Sequence, residues 1–201
     1  VQAGFHVVIL DNFSNARDDV PARLEMITGA PVTVLRGDIL DTDMLTRVFA
    51  EYDIAAVVHF AARKAVAESV ERPIEYFETN ISGLLGLLKV MGAAGCQRLV
   101  FSSSATVYGV PDETPTPETA ARRSENPYGY TKITGEEILE QVAASDPDWA
   151  FGILRYFNPA GAHASALIGE DPSDTPNNLM PYIAKVATGD LPHLNVFGDD
   201  Y

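Results

Sequence analysis

The chain has 201 residues, 46% of them hydrophobic, which suits one domain with a sizeable core, or one domain and the start of a second. Its formal net charge of -14 argues against nucleic acid as a partner, because such a surface repels a phosphate backbone. A single cysteine, Cys96, rules out an internal disulfide framework and fits a reducing, cytoplasmic setting, and no apolar stretch is long enough to cross a bilayer.

In chain order, Val1-Gln2-Ala3-Gly4 reads as the last turn of a helix with Gly4 as its stop. Residues 5–10 are a continuous apolar run closed by Asp11-Asn12, which predicts a strand buried on both faces. Residues 32–35 form a second run, ending at Gly37-Asp38. Met44, Leu45, Val48 and Phe49 have helical spacing, and residues 55–60 predict a third strand. Residues 74–94 predict one long helix with Leu84, Leu87, Leu88 and Met91 on one stripe, and Cys96 beyond it reads as a small buried residue. A fourth strand opens at residues 99–101 and runs into Ser102-Ser103-Ser104. Residues 128–144 predict a helix, on which Glu136-Glu137 reads as a solvated face. Residues 151–154 predict a fifth strand, and residues 179–188 a short helix with Asn178 as its N-cap. After Asn158, Gly, Pro, Asn and Ser become frequent and the regular pattern weakens, which predicts a boundary there. Asp199-Asp200-Tyr201 follows abruptly on an apolar run, so both ends of a longer protein are expected to be missing.

Strand and helix alternate, which predicts an α/β fold with a doubly wound parallel sheet. In such sheets ligands gather at the carboxyl ends of the strands. Asp11, Asp38, His59-Phe60-Ala61, Ser102 to Ser104 and residues 155–158 all fall at such ends. The histidines His6, His59, His163 and His193 are scattered without metal-ligand spacing, and His59 in its apolar strand reads as a packed core residue.

The chemistry concentrates in Tyr128-Gly129-Tyr130-Thr131-Lys132, preceded by Asn126-Pro127. Residues i and i+4 of a helix share a face, so Lys132 lies beside Tyr128. A free phenol is a weak base at neutral pH, and a nearby ammonium favours phenolate. The pair is expected to act as a base toward a hydroxyl, with Ser104 at a strand end supplying a hydrogen bond to the same oxygen.

Ser104 with Tyr128-x-x-x-Lys132 resembles the extended short-chain dehydrogenase/reductase (NAD-dependent epimerase/dehydratase) family. The strings Phe101-Ser102-Ser103-Ser104-Ala105-Thr106-Val107-Tyr108-Gly109, Leu154-Arg155-Tyr156-Phe157-Asn158-Pro159 and Pro176-Asn177-Asn178-Leu179-Met180-Pro181-Tyr182 are similar to its sugar-nucleotide 4-epimerase branch. The dehydratase branch carries an acidic pair where this chain has Ala105-Thr106, which argues against dehydration. The resemblance implies a Rossmann-like NAD-binding domain over residues 1–158, the beginning of a substrate-binding region over 159–201, and C4 epimerisation of a UDP-hexose with tightly held NAD. It implies a UDP-sugar as substrate and a homodimer of the full-length protein through the long helices. Another sugar-nucleotide epimerase, for N-acetylhexosamine or uronate, a decarboxylase, and an inert fragment or NAD-sensing scaffold stay open as alternatives.

By the same resemblance Ser104, Tyr128 and Lys132 are catalytic. Asp11-Asn12 would meet the adenosine ribose, where the acid's charge disfavours a 2′-phosphate and so favours NAD over NADP, although the two residues alone read as a plain turn. Asp38 and Ile39 match an adenine-contacting pair. Phe60, Ala61, Ala62 and Lys64 match a loop over the pyrophosphate, in which Arg63 departs from the usual residue. Asn80, Ser102, Tyr156 and Phe157 complete the implied cofactor set, together with Tyr128 and Lys132. Substrate contacts are implied for Lys64, Ser104, Tyr128, Asn158, Asn178 and Leu179, with Asn195 and Phe197 at the uridine. No metal is implied. The family opens with a strand and a Gly-x-x-Gly-x-x-Gly turn, and no such string precedes Asp11, so the sheet is expected to lack a central strand and to expose edges.

Overall fold

The computed structural model describes residues 3–170, 178–196 and 198. Two compact units emerge, one made of Val1–Arg36 with Asn158–Tyr201 and the other of Gly37–Phe157. All strand pairing among the described residues is parallel.

In the first unit β1 (Val8–Asp11) pairs with β2 (Thr33–Arg36), with Val8 opposite Thr33 and Asp11 opposite Arg36. The expected strand over 5–10 therefore starts three residues late. β2 offers no partner before Thr33, and Phe5 is left 74% exposed. Burial on both faces is not seen either, since all four β1 residues are only half-buried. Between them lies α1 (Val20–Thr28), which the periodicity did not predict because it buries no residue fully. Pro21 opens it and Gly29, at φ 69°, closes it. α7 (Leu179–Thr188) has the predicted bounds.

The second unit holds a three-stranded sheet in the order β3-β4-β5: Val57–His59, Arg98–Ser104 and Ala150–Tyr156. Among the described residues β1 is paired only by β2 and β3 only by β4. β3 is shorter than the 55–60 run because its ladder spans only Leu99 to Phe101 of β4.

Helix α2 (Thr42–Glu51) starts where the Asp41 carboxylate accepts the Met44 N–H at 2.8 Å. The predicted long helix is interrupted. α3 (Val66–Glu71) precedes α4 (Pro73–Phe77), a π-turn covers Glu78–Ser82, and α5 (Gly83–Ala93) completes the run. The stripe Leu84, Leu87, Leu88 and Met91 is buried as predicted, and so is Cys96. α2 lies close to α5 because Gly83 and Gly86 lack side chains. A Cβ at either position would stand 2.9 Å from Ile39 or Thr42.

α6 (Pro127–Ser145) packs on β4 and β5. Its contact with β4 depends on Gly135, where a Cβ would meet Phe101 Cζ at 2.7 Å and Leu84 Cδ2 at 3.5 Å. Gly to Ala in a helix is ordinarily stabilising by about 0.5–1 kcal/mol. Here the sign reverses: Gly135→Ala is expected to destabilise the full-length protein by about 1–3 kcal/mol through overpacking, read as a lowered urea midpoint. An unchanged or raised midpoint would show that Phe101 moves aside without cost.

Candidate functional site

The carboxyl end of β4 meets the first turns of α6. The Asn126 side chain accepts the Gly129 N–H at 2.9 Å, and Pro127 occupies the first helical position, where no N–H is needed. This start turns Tyr128, Thr131 and Lys132 inward, and all three are buried. Lys132 Nζ donates to the Ser102 carbonyl at 2.7 Å, and stands 5.1 Å from the Phe101 ring centroid and 5.8 Å from that of Tyr128. Burial draws the Lys132 ammonium down to about 8.

The expectation that Lys132 makes the phenol basic needs correction for the protein by itself. Burial pushes the Tyr128 phenol up, and only the Ser104 hydroxyl works in the opposite direction. Lys132 directs its charge to a carbonyl, so desolvation wins. Ser104 is itself anchored: its Oγ accepts the Thr106 N–H at 3.3 Å and the Thr106 hydroxyl at 3.0 Å, as the cap of a 3₁₀ turn over Ala105–Tyr108.

Asn80 sits inside the π-turn and is buried. Its Oδ1 accepts the Arg63 N–H at 2.9 Å, and its Nδ2 donates to Arg63 O and to Thr131 Oγ1, each at 3.0 Å. The Thr131 hydroxyl donates onward to the Tyr128 carbonyl at 2.7 Å. One amide thus ties the loop after β3 to the helix that carries Tyr128, and the π-turn is what aims it inward. In that loop Phe60, Ala61 and Lys64 are exposed and Ala62 is half-buried. Arg63 is held by Glu68 at 3.4 Å and by Glu75 at 3.0 Å.

Glu136 is not on a solvated face. It is fully buried, one turn beyond Lys132, whereas Glu137 is exposed. Ser103 and Arg155 are opposite one another on β4 and β5, and both reach it. The Ser103 hydroxyl donates at 2.5 Å, Arg155 Nε at 2.9 Å and Nη2 at 2.7 Å, and Arg122 Nη1 at 3.1 Å. Burial pushes the Glu136 carboxyl up, but the bonds from Arg155 and Ser103 outweigh it and hold the group below the usual carboxylate range. His59 is a core residue as expected, stacked on Phe101 at 6.0 Å and lowered to about 4 by burial and then by Lys132.

Among the remaining expected residues of the second unit, Ile39 packs on Gly83 and the Asp38 carboxylate accepts the Leu40 N–H at 2.9 Å. Tyr156 is half-buried opposite Ser104, and Phe157 is 69% exposed. In the first unit the Asp11 carboxylate accepts the Phe13 N–H at 2.7 Å, and the Asn12 side chain accepts the Ser14 N–H at 2.9 Å, so the plain-turn reading is met. Asn158, Leu179 and Asn195 are exposed. Asn178 does occupy the N-cap of α7, but its side chain donates to Glu170 at 2.6 Å and makes no cap bond. Phe197 lies outside the described residues. Sequence reasoning missed Thr106, Thr131 and the Glu136–Arg155 pair. Spacing held a signal for one of them, because Glu136 follows Lys132 by the same four residues that separate Lys132 from Tyr128.

Comparison with known proteins bears on the family and the fold. The profile of the NAD dependent epimerase/dehydratase family matches residues 1–200. A UDP-glucose 4-epimerase of Bacillus subtilis is 48% identical over 201 residues, covering 100% of this chain and 59% of that protein. The crystal structure of UDP-glucose 4-epimerase from Bifidobacterium longum in complex with NAD+ and UDP is 49% identical with a TM-score of 0.93, over 99% of this chain and 60% of that one. The enzyme from Stenotrophomonas maltophila, with bound NAD and formylated UDP-arabinopyranose, is 52% identical with a TM-score of 0.96, over 100% of this chain and 60% of that one. The chain thus spans about three fifths of the length of these relatives. Parallel α/β architecture, the Ser104–Tyr128–Lys132 cluster and the family match converge on one statement: this chain belongs to the NAD dependent epimerase/dehydratase family.

Proposed function

We propose that the full-length protein inverts C4 of a UDP-hexose reversibly, interconverting UDP-glucose and UDP-galactose through a 4-keto sugar. The observation that carries this reading is the meeting of a buried phenol, a serine hydroxyl and a buried ammonium at the end of β4, followed by Ala105-Thr106 with no acid to expel water. NAD fits the groups present. Lys132, Lys64, Ser102, Ser104 and Tyr128 offer ammonium and hydroxyl groups, matched to ribose and phosphate, and no carboxylate. For the first unit the proposed contacts are Asp11 and Asn12, whose acid suits a ribose diol. For the second unit they are Asp38, Ile39, residues 60–62, Lys64, Asn80, Ser102, Tyr128, Lys132, Tyr156 and Phe157. When bound, NAD supplies a reversible acceptor for the hydrogen and electron pair of C4 and a positive charge that opposes the effect of burial on the phenol.

Tyr128 Oη takes the proton of the sugar 4-hydroxyl and later returns it. Ser104 steadies the same oxygen by hydrogen bonding. Lys132 keeps its charge below about pH 8, and its bond to Ser102 O holds the head group in place. Asn158, Asn178, Leu179, Asn195 and Phe197, with Lys64, are proposed for the substrate. Residues 1–158 are proposed as the cofactor part, and 159–201 as the start of the substrate part. No helix of the described residues is long and apolar enough to cross a membrane. A cytoplasmic homodimer is proposed, supported by the exposed Ile74, Phe77 and Leu85 along the long helical run.

The test is conversion of UDP-galactose to UDP-glucose by purified full-length protein, with NAD released on denaturation counted per chain. Absence of conversion in protein that carries NAD would overturn this reading.

A further inference from the structure

Side chains two apart share one face of a strand, so Leu99, Phe101 and Ser103 line the same face of β4. α6 reaches that face at two points. Glu136 takes the Ser103 hydroxyl, and the edge of the Phe101 ring fills the space that Gly135 leaves. The parallel register sets His59 of β3 opposite Phe101, and the two rings stack with centroids 6.0 Å apart and planes at 25°. The Phe101 ring, 2% exposed, is thus held by a second ring and by the backbone of α6.

Lys132 Nζ lies over this ring, 5.1 Å from its centroid. An ammonium has three N–H donors, and among the described residues the Ser102 carbonyl is its one acceptor. A buried charge needs further compensation. The carboxylates on the elements around α6 do not supply it. Glu136 is taken by Ser103 and Arg155, Glu140 by Arg122, and Glu68 and Glu75 by Arg63, while Glu78 and Glu137 face water. The titratable groups nearest the ammonium are Tyr128 on its own helix and His59, which burial keeps uncharged down to about pH 4. Two aromatic rings remain as partners, and Phe101 is the nearer, at 5.1 Å against 5.8 Å for Tyr128.

We propose that Phe101 is a positioning residue for the C4 chemistry: its ring, fixed by His59 and by the space at Gly135, holds the Lys132 ammonium charged and in place beside Tyr128. The inference deepens the proposed reaction and rests on its assignment of Lys132. The negative face of an aromatic ring attracts an ammonium and not a neutral amine, so the contact favours the protonated form. It opposes the burial that draws Lys132 down to about 8. Without the ring, Lys132 gives up its proton at lower pH, and the charge beside the phenol is lost sooner as pH rises.

The test uses full-length, NAD-loaded protein with Phe101→Leu, and with an ortho-difluorinated phenylalanine at position 101. The fluorines withdraw charge from the ring face, keep its shape and stay clear of the Cζ edge that meets α6. Two readouts are taken: the titration of Lys132, followed by the Cε chemical shift in isotope-labelled protein and assigned with Lys132→Met, and the alkaline limb of kcat. In Phe101→Leu the Lys132 titration and the alkaline limb are both expected to move down by about 0.5–1 pH unit, and in the difluorinated protein by about half as much. A difluorinated protein in which Lys132 titrates as in wild type overturns the proposal, even where Phe101→Leu shifts, because volume and not the ring face would then be the agent. The chemical-shift arm separates this proposal from the enzymatic reading. Wild-type protein inactive on UDP-hexoses, yet with a Lys132 titration that moves in both variants, removes the reaction and keeps the role of the ring.

Discussion

Tyr128→Phe in the full-length protein is expected to lower kcat for UDP-galactose by about 10³-fold, with KM nearly unchanged. The substitution removes one oxygen and leaves the ring, so the packing of Lys132 beside that ring is preserved. Tyr128 is 9% exposed and Lys132 5%, so bulk water has poor access to the site and is a weak replacement base. On the proposed mechanism the loss falls on kcat, because the phenol oxygen would act on the proton that leaves as C4 is oxidised, an interaction made in the transition state and not in substrate capture. Bound NAD should stay at the wild-type level, and melting should stay near wild type, so that the loss is assigned to chemistry. Equal turnover in the two proteins would remove Tyr128 from the mechanism. A loss of NAD in step with the loss of rate would reassign the residue to cofactor retention.

The second large effect concerns stability. Glu136→Ala is expected to destabilise the folded protein by about 3–5 kcal/mol, because it removes one partner of a buried ion pair and leaves the other uncompensated. Arg155 would keep the Tyr108 hydroxyl and the Glu118 carbonyl, at 2.8 Å each, but no carboxylate. Arg122 would keep Glu140 at 2.8 Å, so the cost centres on Arg155. For a chain of this size the melting temperature should fall by roughly 10 °C. The sign with pH follows from the direction of the Glu136 shift. A carboxyl held low in the folded state contributes stability above its unfolded pKa and loses it as pH falls through the folded value. Glu136→Ala should therefore lie furthest below wild type at neutral pH and approach it in acid. A double-mutant cycle with Arg155→Ala isolates the pair. A single-site effect under about 1 kcal/mol, or additive losses in the cycle, would show that the network carries no such weight.

Some of this was readable from local pattern and some was not, and the division follows the range of the forces. Alternation of apolar runs with helical spacing exposed the parallel α/β class, because each period is a property of neighbouring residues. The Tyr128–Lys132 pair was readable for the same reason, since four residues make one helical turn. Strand ends were less legible. β1 and β3 are set by how much partner strand they find, and Phe5 and Phe60 belong to apolar runs that outlast the pairing. The long helix hid its π-turn, because the Asn80 side chain in that turn is hydrogen-bonded to residues 17 and 51 positions away.

By itself the sequence determined the class of fold, the positions of the candidate catalytic side chains along the chain and the absence of an acid at Ala105-Thr106. Only the tertiary structure decided which charges are buried, which hydroxyl donates to which, and whether Lys132 or burial governs the phenol. Glu136 and Glu137 are adjacent and chemically alike, yet one is sealed against Arg155, 19 residues away, and the other faces water. Desolvation and hydrogen-bond direction depend on what a fold brings alongside a group from elsewhere in the chain, and a one-dimensional pattern carries no record of that surrounding.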